Sequence, residues 1–135
     1  MLEAEVTITV PFHDLDPMGV VWHGNYARYL EIARCALLER IDYNYPRMGE
    51  EGFAWPVVEM RIKYVGPLRF GQQAKVTARL VSWENGMKID YLIHDAASGA
   101  LLTRARTFQV PVSLATGEMS LESPPELLRR LKDTP

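Results

Sequence analysis

The chain has 135 residues, 47% of them hydrophobic and 24% charged, the balance of an ordinary soluble globule with enough apolar mass for a core of its own. A net charge of −2 gives no electrostatic reason to expect nucleic acid as a partner, and a single cysteine, Cys35, excludes an internal disulfide. The opening MLEAEVTITV lacks the basic region and apolar run of a signal peptide, and no stretch approaches the roughly 18 consecutive apolar residues of a membrane span, so a cytoplasmic protein forming one domain over 1–135 is expected.

In chain order, VTITVPF alternates Val6, Ile8, Val10 and Phe12 against Thr7, Thr9 and Pro11, the period of a half-buried strand that ends at Pro11 or runs along an edge. The stretch FHDLDPMGVVWHGNYARYLE, residues 12–31, follows. Asp16-Pro17-Met18-Gly19 has the composition of a plain turn. From Asn25 the period lengthens: Tyr26, Leu30, Ala33, Leu37 and Ile41 mark one face of a helix about 26 Å long at 1.5 Å per residue. Asn25 is a suitable N-cap type, and Gly24 before it permits close backbone approach. DYNYPRMGEEGFAWP reads as loop with one short helical turn.

Strands then succeed one another. VVEMRIKYV sets Val58, Met60, Ile62 and Tyr64 against Glu59, Arg61 and Lys63, with Glu59 on a solvent face or at a subunit contact. GPLRFGQ supplies a turn, and AKVTARLVSW alternates through Ala74, Val76, Ala78 and Leu80. Asn85-Gly86 predicts a type I′ hairpin into MKIDYLIHD, where Met87, Ile89, Tyr91 and Ile93 share a face. AASGA turns into a last strand, LLTRARTFQVPV, and PPELLRRLK forms a tail helix. Short connections make consecutive strands antiparallel, so the predicted class is α+β, with one principal helix on an antiparallel sheet.

Several residues invite chemistry. Asp16 stands a few residues ahead of a helix N-terminus, whose free N–H groups and partial positive charge can polarise a carbonyl, yet an Asp in such a turn is more often only a turn or capping acid. Asp14 is the weaker candidate and is expected to shape the loop. His23 is either a polar helix-entry residue or a group that orients water or a carbonyl. A metal is not expected, because H-D-x-D with a distant third His (His13, His94) lacks a recognised ligand spacing. Cys35 lies within the helix pattern with no partner His and is expected to be a small buried hydrophobe. Glu31 and Arg34 read as a helix-surface ion pair. Ser82 and Ser113 lack a G-x-S-x-G setting. Arg61, Lys63, Arg69, Arg104 and Arg106 read first as solvated strand cations.

The order strand, long helix, four strands, together with Asp14, Asp16, Gly19, Val20-Val21, Trp22, His23, Tyr26, Tyr29 and Glu31, resembles hotdog-fold acyl-CoA thioesterases of the 4-hydroxybenzoyl-CoA thioesterase type. The resemblance implies a sheet of about five strands wrapped around the helix. It implies hydrolysis of an acyl-CoA or acyl-carrier-protein thioester, with no cofactor beyond the CoA of the substrate, in a homodimer or homotetramer. It places the catalytic carboxylate on Asp16, as nucleophile or general base, with His23 assisting and Gly24, Asn25 and Tyr26 at the substrate. It also offers the scattered cations a role at the CoA phosphates. The chain departs from relatives at LRFGQQ, where Gln72 stands in place of a frequent Asp. Two rivals remain. A hotdog hydratase or dehydratase would need a His–acid pair on the helix, which carries no His; a non-catalytic acyl-thioester-binding or scaffold protein would bind without turnover.

Overall fold

A computed structural model describes residues 2–132. Strand β1 (Glu3–Thr9) leads through a 3-10 turn at Phe12–Asp14 and a second at His23–Asn25 into helix α1 (Tyr26–Glu39). A short helix α2 (Tyr45–Glu50) and strand β2 (Phe53–Ala54) precede four long strands: β3 (Val57–Tyr64), β4 (Gln73–Ser82), β5 (Met87–Asp95) and β6 (Leu101–Gln109). Strand β7 (Val112–Ser113) and helix α3 (Pro125–Lys132) complete the order. The sheet runs β1-β4-β5-β6-β3, antiparallel throughout, while β2 pairs with β7 in a small separate ladder. The expected α+β architecture of five strands around one long helix is what the chain adopts.

The helix lies across β1 and β4. All five residues of its predicted face are buried, and they meet Ala74, Val76, Ala78 and Leu80 of β4 and Met87, Ile89, Tyr91 and Ile93 of β5, also buried. Helical period on one layer and strand period on the other thus close on a single apolar interior.

The helix is shorter than its sequence pattern. Its entry is a 3-10 turn, and Asn25, expected to cap with its side chain, instead has helical dihedrals and makes no capping bond. Its exit is set by Asp42, which takes a left-handed φ of 52°. The Tyr43 N–H then reaches the Leu38 carbonyl at 3.0 Å and the Asp42 N–H reaches Glu39 at 3.1 Å. This double closure ends a helix whatever the hydrophobic period does next. In the loop that follows, the Asn44 side chain caps α2 by accepting from the Tyr45 N–H at 2.9 Å.

Four further expectations are corrected. The GPLRFGQ segment does not fold β3 back onto β4; β3 pairs with β6 at the far edge, because residues 65–72 pair elsewhere, with the end of β1 and with the Asp16 loop. Edge position leaves most of β3 exposed on both faces, so its alternation does not sort inside from outside. Phe12 is exposed and stacks edge-to-face on Phe70 at 5.6 Å, because the chain leaves the strand at Pro11. At the hairpin only Gly86 is left-handed (φ 89°), so the turn is not type I′. A side chain at Gly86 would also strike the Gln109 carbonyl and Phe108, so close approach and dihedral both require glycine. No helix among the described residues is long and apolar enough to cross a membrane.

Candidate active site at the helix entrance

Residues 12–26 form a compact structure ahead of α1. Asp16 to Gly19 is a β-turn, closed by the Gly19 N–H on the Asp16 carbonyl at 2.9 Å, with Gly19 at φ 78°. The Asp16 Oδ1 accepts from the Met18 N–H at 2.9 Å, so this Asp does perform the turn function its sequence suggested. The Asp16 N–H donates to Val20 at 2.8 Å, making Leu15–Val21 a miniature hairpin. The 65–72 link holds this hairpin from outside: the Val21 N–H donates to Leu68 at 2.8 Å and Val20 bridges Arg69.

The two acids have separate surroundings. Asp14 is buried, accepts from the Tyr29 hydroxyl at 2.6 Å, and pairs with the Arg28 guanidinium. Its carbonyl accepts from the Trp22 N–H at 3.0 Å and from the Asn25 amide at 2.9 Å. Asp14 therefore ties the loop to the first turns of α1, the shaping role expected of it. Burial, then the bond to Asp14, push the Tyr29 hydroxyl well above the usual phenol range, which keeps it a donor.

Asp16 is half-buried and faces a cleft of about 330 Å³, shared with Val20, His23, Tyr26, Tyr64 and Val65. Asp16, His23 and Tyr26, singled out from the sequence, thus meet at one opening. Gly24 and Asn25 stand beside it in other contacts. The Trp22 ring lies so close over Gly24 that any β-carbon there would collide with it, and the Asn25 amide is held by Asp14. Burial raises the Tyr26 hydroxyl above its ordinary range, and a backbone bond at Leu68 partly offsets this.

Two residues were missed from sequence. Tyr64 donates its hydroxyl to the His23 carbonyl at 2.9 Å and sets its ring edge-on to Tyr26 at 4.8 Å, pinning the 3-10 turn to the edge strand. Only its period on β3 was visible, and that said nothing of His23, forty-one residues earlier in the chain. Arg34 was taken for a surface partner of Glu31. It does lie 3.4 Å from Glu31, but it is 5% exposed, donates to the Trp55 carbonyl at 3.1 Å, and covers the Tyr45 ring at 5.2 Å. Cys35 is partly rather than fully buried, with the Asn44 amide 3.1 Å from its sulfur. Gln72, at the departure in LRFGQQ, accepts from the Arg69 N–H at 2.9 Å and donates to Asp95 at 3.0 Å, fastening the end of the 65–72 link to β5.

Chemically, the cleft offers a carboxylate, an imidazole and the start of a helical turn. The first N–H groups of such a turn, those of His23 and Gly24, have no acceptor within it.

The sequence pattern of the "Thioesterase-like superfamily" matches residues 10–131. The chain is 36% identical over 87 residues to "Putative acyl-CoA thioesterase YneP" of Bacillus subtilis, a match covering 64% of this chain and 62% of that protein. It is 36% identical over 76 residues to "Acyl-acyl carrier protein thioesterase ATL3, chloroplastic" of Arabidopsis thaliana, covering 56% and 40%. The chain thus spans less than two thirds of the length of either relative. A hypothetical protein from Thermus thermophilus superposes with a TM-score of 0.85 at 30% identity, over 97% of this chain and 98% of that one. The pattern covers nearly the whole chain, from the end of the first strand to the tail helix: it belongs to the Thioesterase-like superfamily.

Proposed function

We propose that the protein hydrolyses acyl thioesters carried on CoA or on a carrier protein, with Asp16 as its catalytic carboxylate. The observation that carries this is the meeting of Asp16 and His23 at one cleft beside the first N–H groups of a helical turn. The names of the Bacillus and Arabidopsis relatives, an acyl-CoA thioesterase and an acyl-acyl carrier protein thioesterase, support the substrate class.

Hydrolysis transfers the acyl group from sulfur to water. The N–H groups at His23 and Gly24 stabilise the oxyanion as the carbonyl is attacked. In one route Asp16 takes a proton from water, the hydroxide adds to the carbonyl carbon, and the C–S bond breaks to give acid and thiol. In the other, Asp16 adds directly, the thiolate leaves and is protonated, and water hydrolyses the mixed anhydride to regenerate the carboxylate. Both leave the same products. His23 orients water or the carbonyl; Tyr26 forms the wall on which the thioester lies, with Gly24 and Asn25 beside it at the helix entrance. The residues need no metal or organic cofactor for either route.

The assembly we propose is a dimer or tetramer acting in the cytoplasm as a single-domain protein. Strand β3 supports it: it is a sheet edge with Val58, Met60 and Tyr64 exposed, an edge that calls for pairing or covering.

The deciding experiment is Asp16→Asn. Asn keeps the turn bond to Met18, so stability should change by about 1 kcal/mol or less, while kcat should fall at least about 1,000-fold. Release of free thiol from acyl-CoA and acyl-carrier-protein esters reports it. A folded Asn variant retaining a tenth of wild-type turnover returns Asp16 to turn duty alone. His23→Ala should lower kcat about 10- to 1,000-fold, and full activity would remove His23 from the chemistry.

A further inference from the structure

The outer face of the sheet, away from α1, is divided in charge. Over β1 and β4 the cations are matched: Arg79 pairs with Glu3 at 3.2 Å, and Lys75 with Glu5 at 3.7 Å. Over β5, β6 and β3 they are not. Arg106 holds Asp90, with Nη2 at 2.9 Å from Oδ2, but Arg61, Lys63 and Arg104 have no acidic partner among the described residues. Register brings them together, because Lys63 faces Arg104 and Arg61 faces Arg106 directly across the β3–β6 ladder. They surround a depression of about 510 Å³, a volume in the range of small-ligand sites, with Leu92 on its floor. His94 also lines it, with a buried Nδ1 that has no partner.

Positive charge concentrated in this way runs against a chain whose net charge is −2. Adjacent uncompensated cations repel, and an anion placed among them relieves that repulsion, more so at low salt. Guanidinium groups favour phosphate oxygens, which they bind through two parallel N–H bonds, and an apolar floor beside them suits a flat base.

We propose that this depression is a second binding site, on the sheet face opposite α1, for a phosphorylated anion of the nucleotide type. Arg104 and Lys63 hold the phosphates, Arg61 and Arg106 flank them, and Leu92 supports the base. Two sources share this chemistry: the nucleotide end of a CoA substrate, and a free nucleotide. Only the first rests on the thioesterase reading above.

The test uses the intact protein with adenosine 3′,5′-diphosphate and inorganic pyrophosphate as probes, in calorimetric titrations at low and moderate salt. Binding should be saturable, should weaken as salt rises, and should weaken at least tenfold in Arg104→Glu and in Lys63→Glu. Arg104→Gln serves where charge reversal impairs folding and should weaken binding severalfold. Arg79→Glu, on the matched half of the same face, should leave binding unchanged. Absence of binding in the wild type overturns the proposal. So does binding indifferent to Arg104 and Lys63, or equally sensitive to Arg79, which would be diffuse surface charge; a face occupied by a second copy of the chain would also show as no uptake of either probe.

Kinetics then separate the sources. A tenfold rise in KM for an acyl-CoA in Arg104→Glu, with an acyl-pantetheine of the same acyl group unaffected, assigns the site to the nucleotide of CoA. Unchanged KM for both, with diphosphate binding lost, assigns it to a free nucleotide. The binding measurements need no turnover, so failure of the thioesterase reading leaves them intact and readable.

Discussion

The inner face of the sheet is two surfaces. Beneath α1 it is apolar and sealed: Ala74, Val76, Ala78 and Leu80 meet Leu30, Ala33 and Leu37. Beyond the helix, on β6 and β3, it turns polar and then open. Thr103, Thr107 and Gln109 line β6, and Met60 and Tyr64 are exposed on β3. The sheet residues of the first half are all apolar, whereas the second leaves the Gln109 amide buried without a partner. An unsatisfied buried amide costs about 1–3 kcal/mol, which a chain optimised for stability alone would shed. Stability resides in the covered half, and the candidate chemistry lies where the sheet emerges from under the helix.

Breaking the covered half should cost folding and spare turnover. Leu37→Ala removes a fully buried side chain at the centre of the helix–sheet contact. Chemical denaturation should show a loss of about 2–5 kcal/mol, with kcat per folded molecule unchanged. A kcat that falls in step with stability would erase the division.

The open half should respond in the opposite sense. Tyr64→Phe deletes only the hydroxyl on the His23 carbonyl and keeps the ring against Tyr26. Unfolding free energy should drop by about 1 kcal/mol or less, while kcat should fall about tenfold with KM little changed. Normal turnover in the Phe variant would leave Tyr64 as edge packing.

The smallest effect belongs to the end of the 65–72 link, away from the cleft. The bond from Gln72 is the first cause holding the Asp95 carboxyl below the usual carboxylate range, followed by bonds from Ser98. Gln72→Ala should raise the Asp95 pKa toward its ordinary value, seen by NMR titration of the side-chain carboxyl carbon. Because the folded value is the depressed one, the contribution to stability is present above the unfolded pKa and disappears as pH falls through the folded value. An unmoved Asp95 titration would assign its shift to the Ser98 and Ala97 bonds.

Much of the covered half was legible in the sequence, because periodicity reports which side of an element meets the core. Tyr26, Leu30, Ala33, Leu37 and Ile41 could be read from spacing, as could the inward residues of β4 and β5. Period does not report neighbours. Nothing in VVEMRIKYV says that it lies beside β6 rather than β4, and an edge strand exposed on both faces blurs even its own alternation. The helix-entry motif drew attention to Asp16 and His23 through resemblance, while composition alone favoured a turn acid. The two acids of D-x-D part company only in three dimensions, where Asp14 is gripped by Arg28 and Tyr29 in the first turn of the helix, and Asp16 is left at the cleft. Arg34 escaped notice because an i,i+3 ion pair is the ordinary explanation for Glu31 and Arg34, and the Trp55 carbonyl that makes Arg34 a buried residue lies on another element.

The 65–72 link has a consequence for how the cleft comes into being. Its walls come from residues 16–26 and 64–67, and the link clasps Val10, Val20 and Val21 across some fifty residues of chain. Helix α1 can form from contacts three and four residues apart, but the cleft exists only once a long loop has closed, a step whose entropic cost must be met before its contacts return anything. A molecule with its helix wound and its core collapsed is therefore still without a site. An N-terminal fragment carrying the whole Asp16 motif has Asp16, His23 and Tyr26 but lacks the wall made by residues 64–67, so the site is complete only in the finished fold.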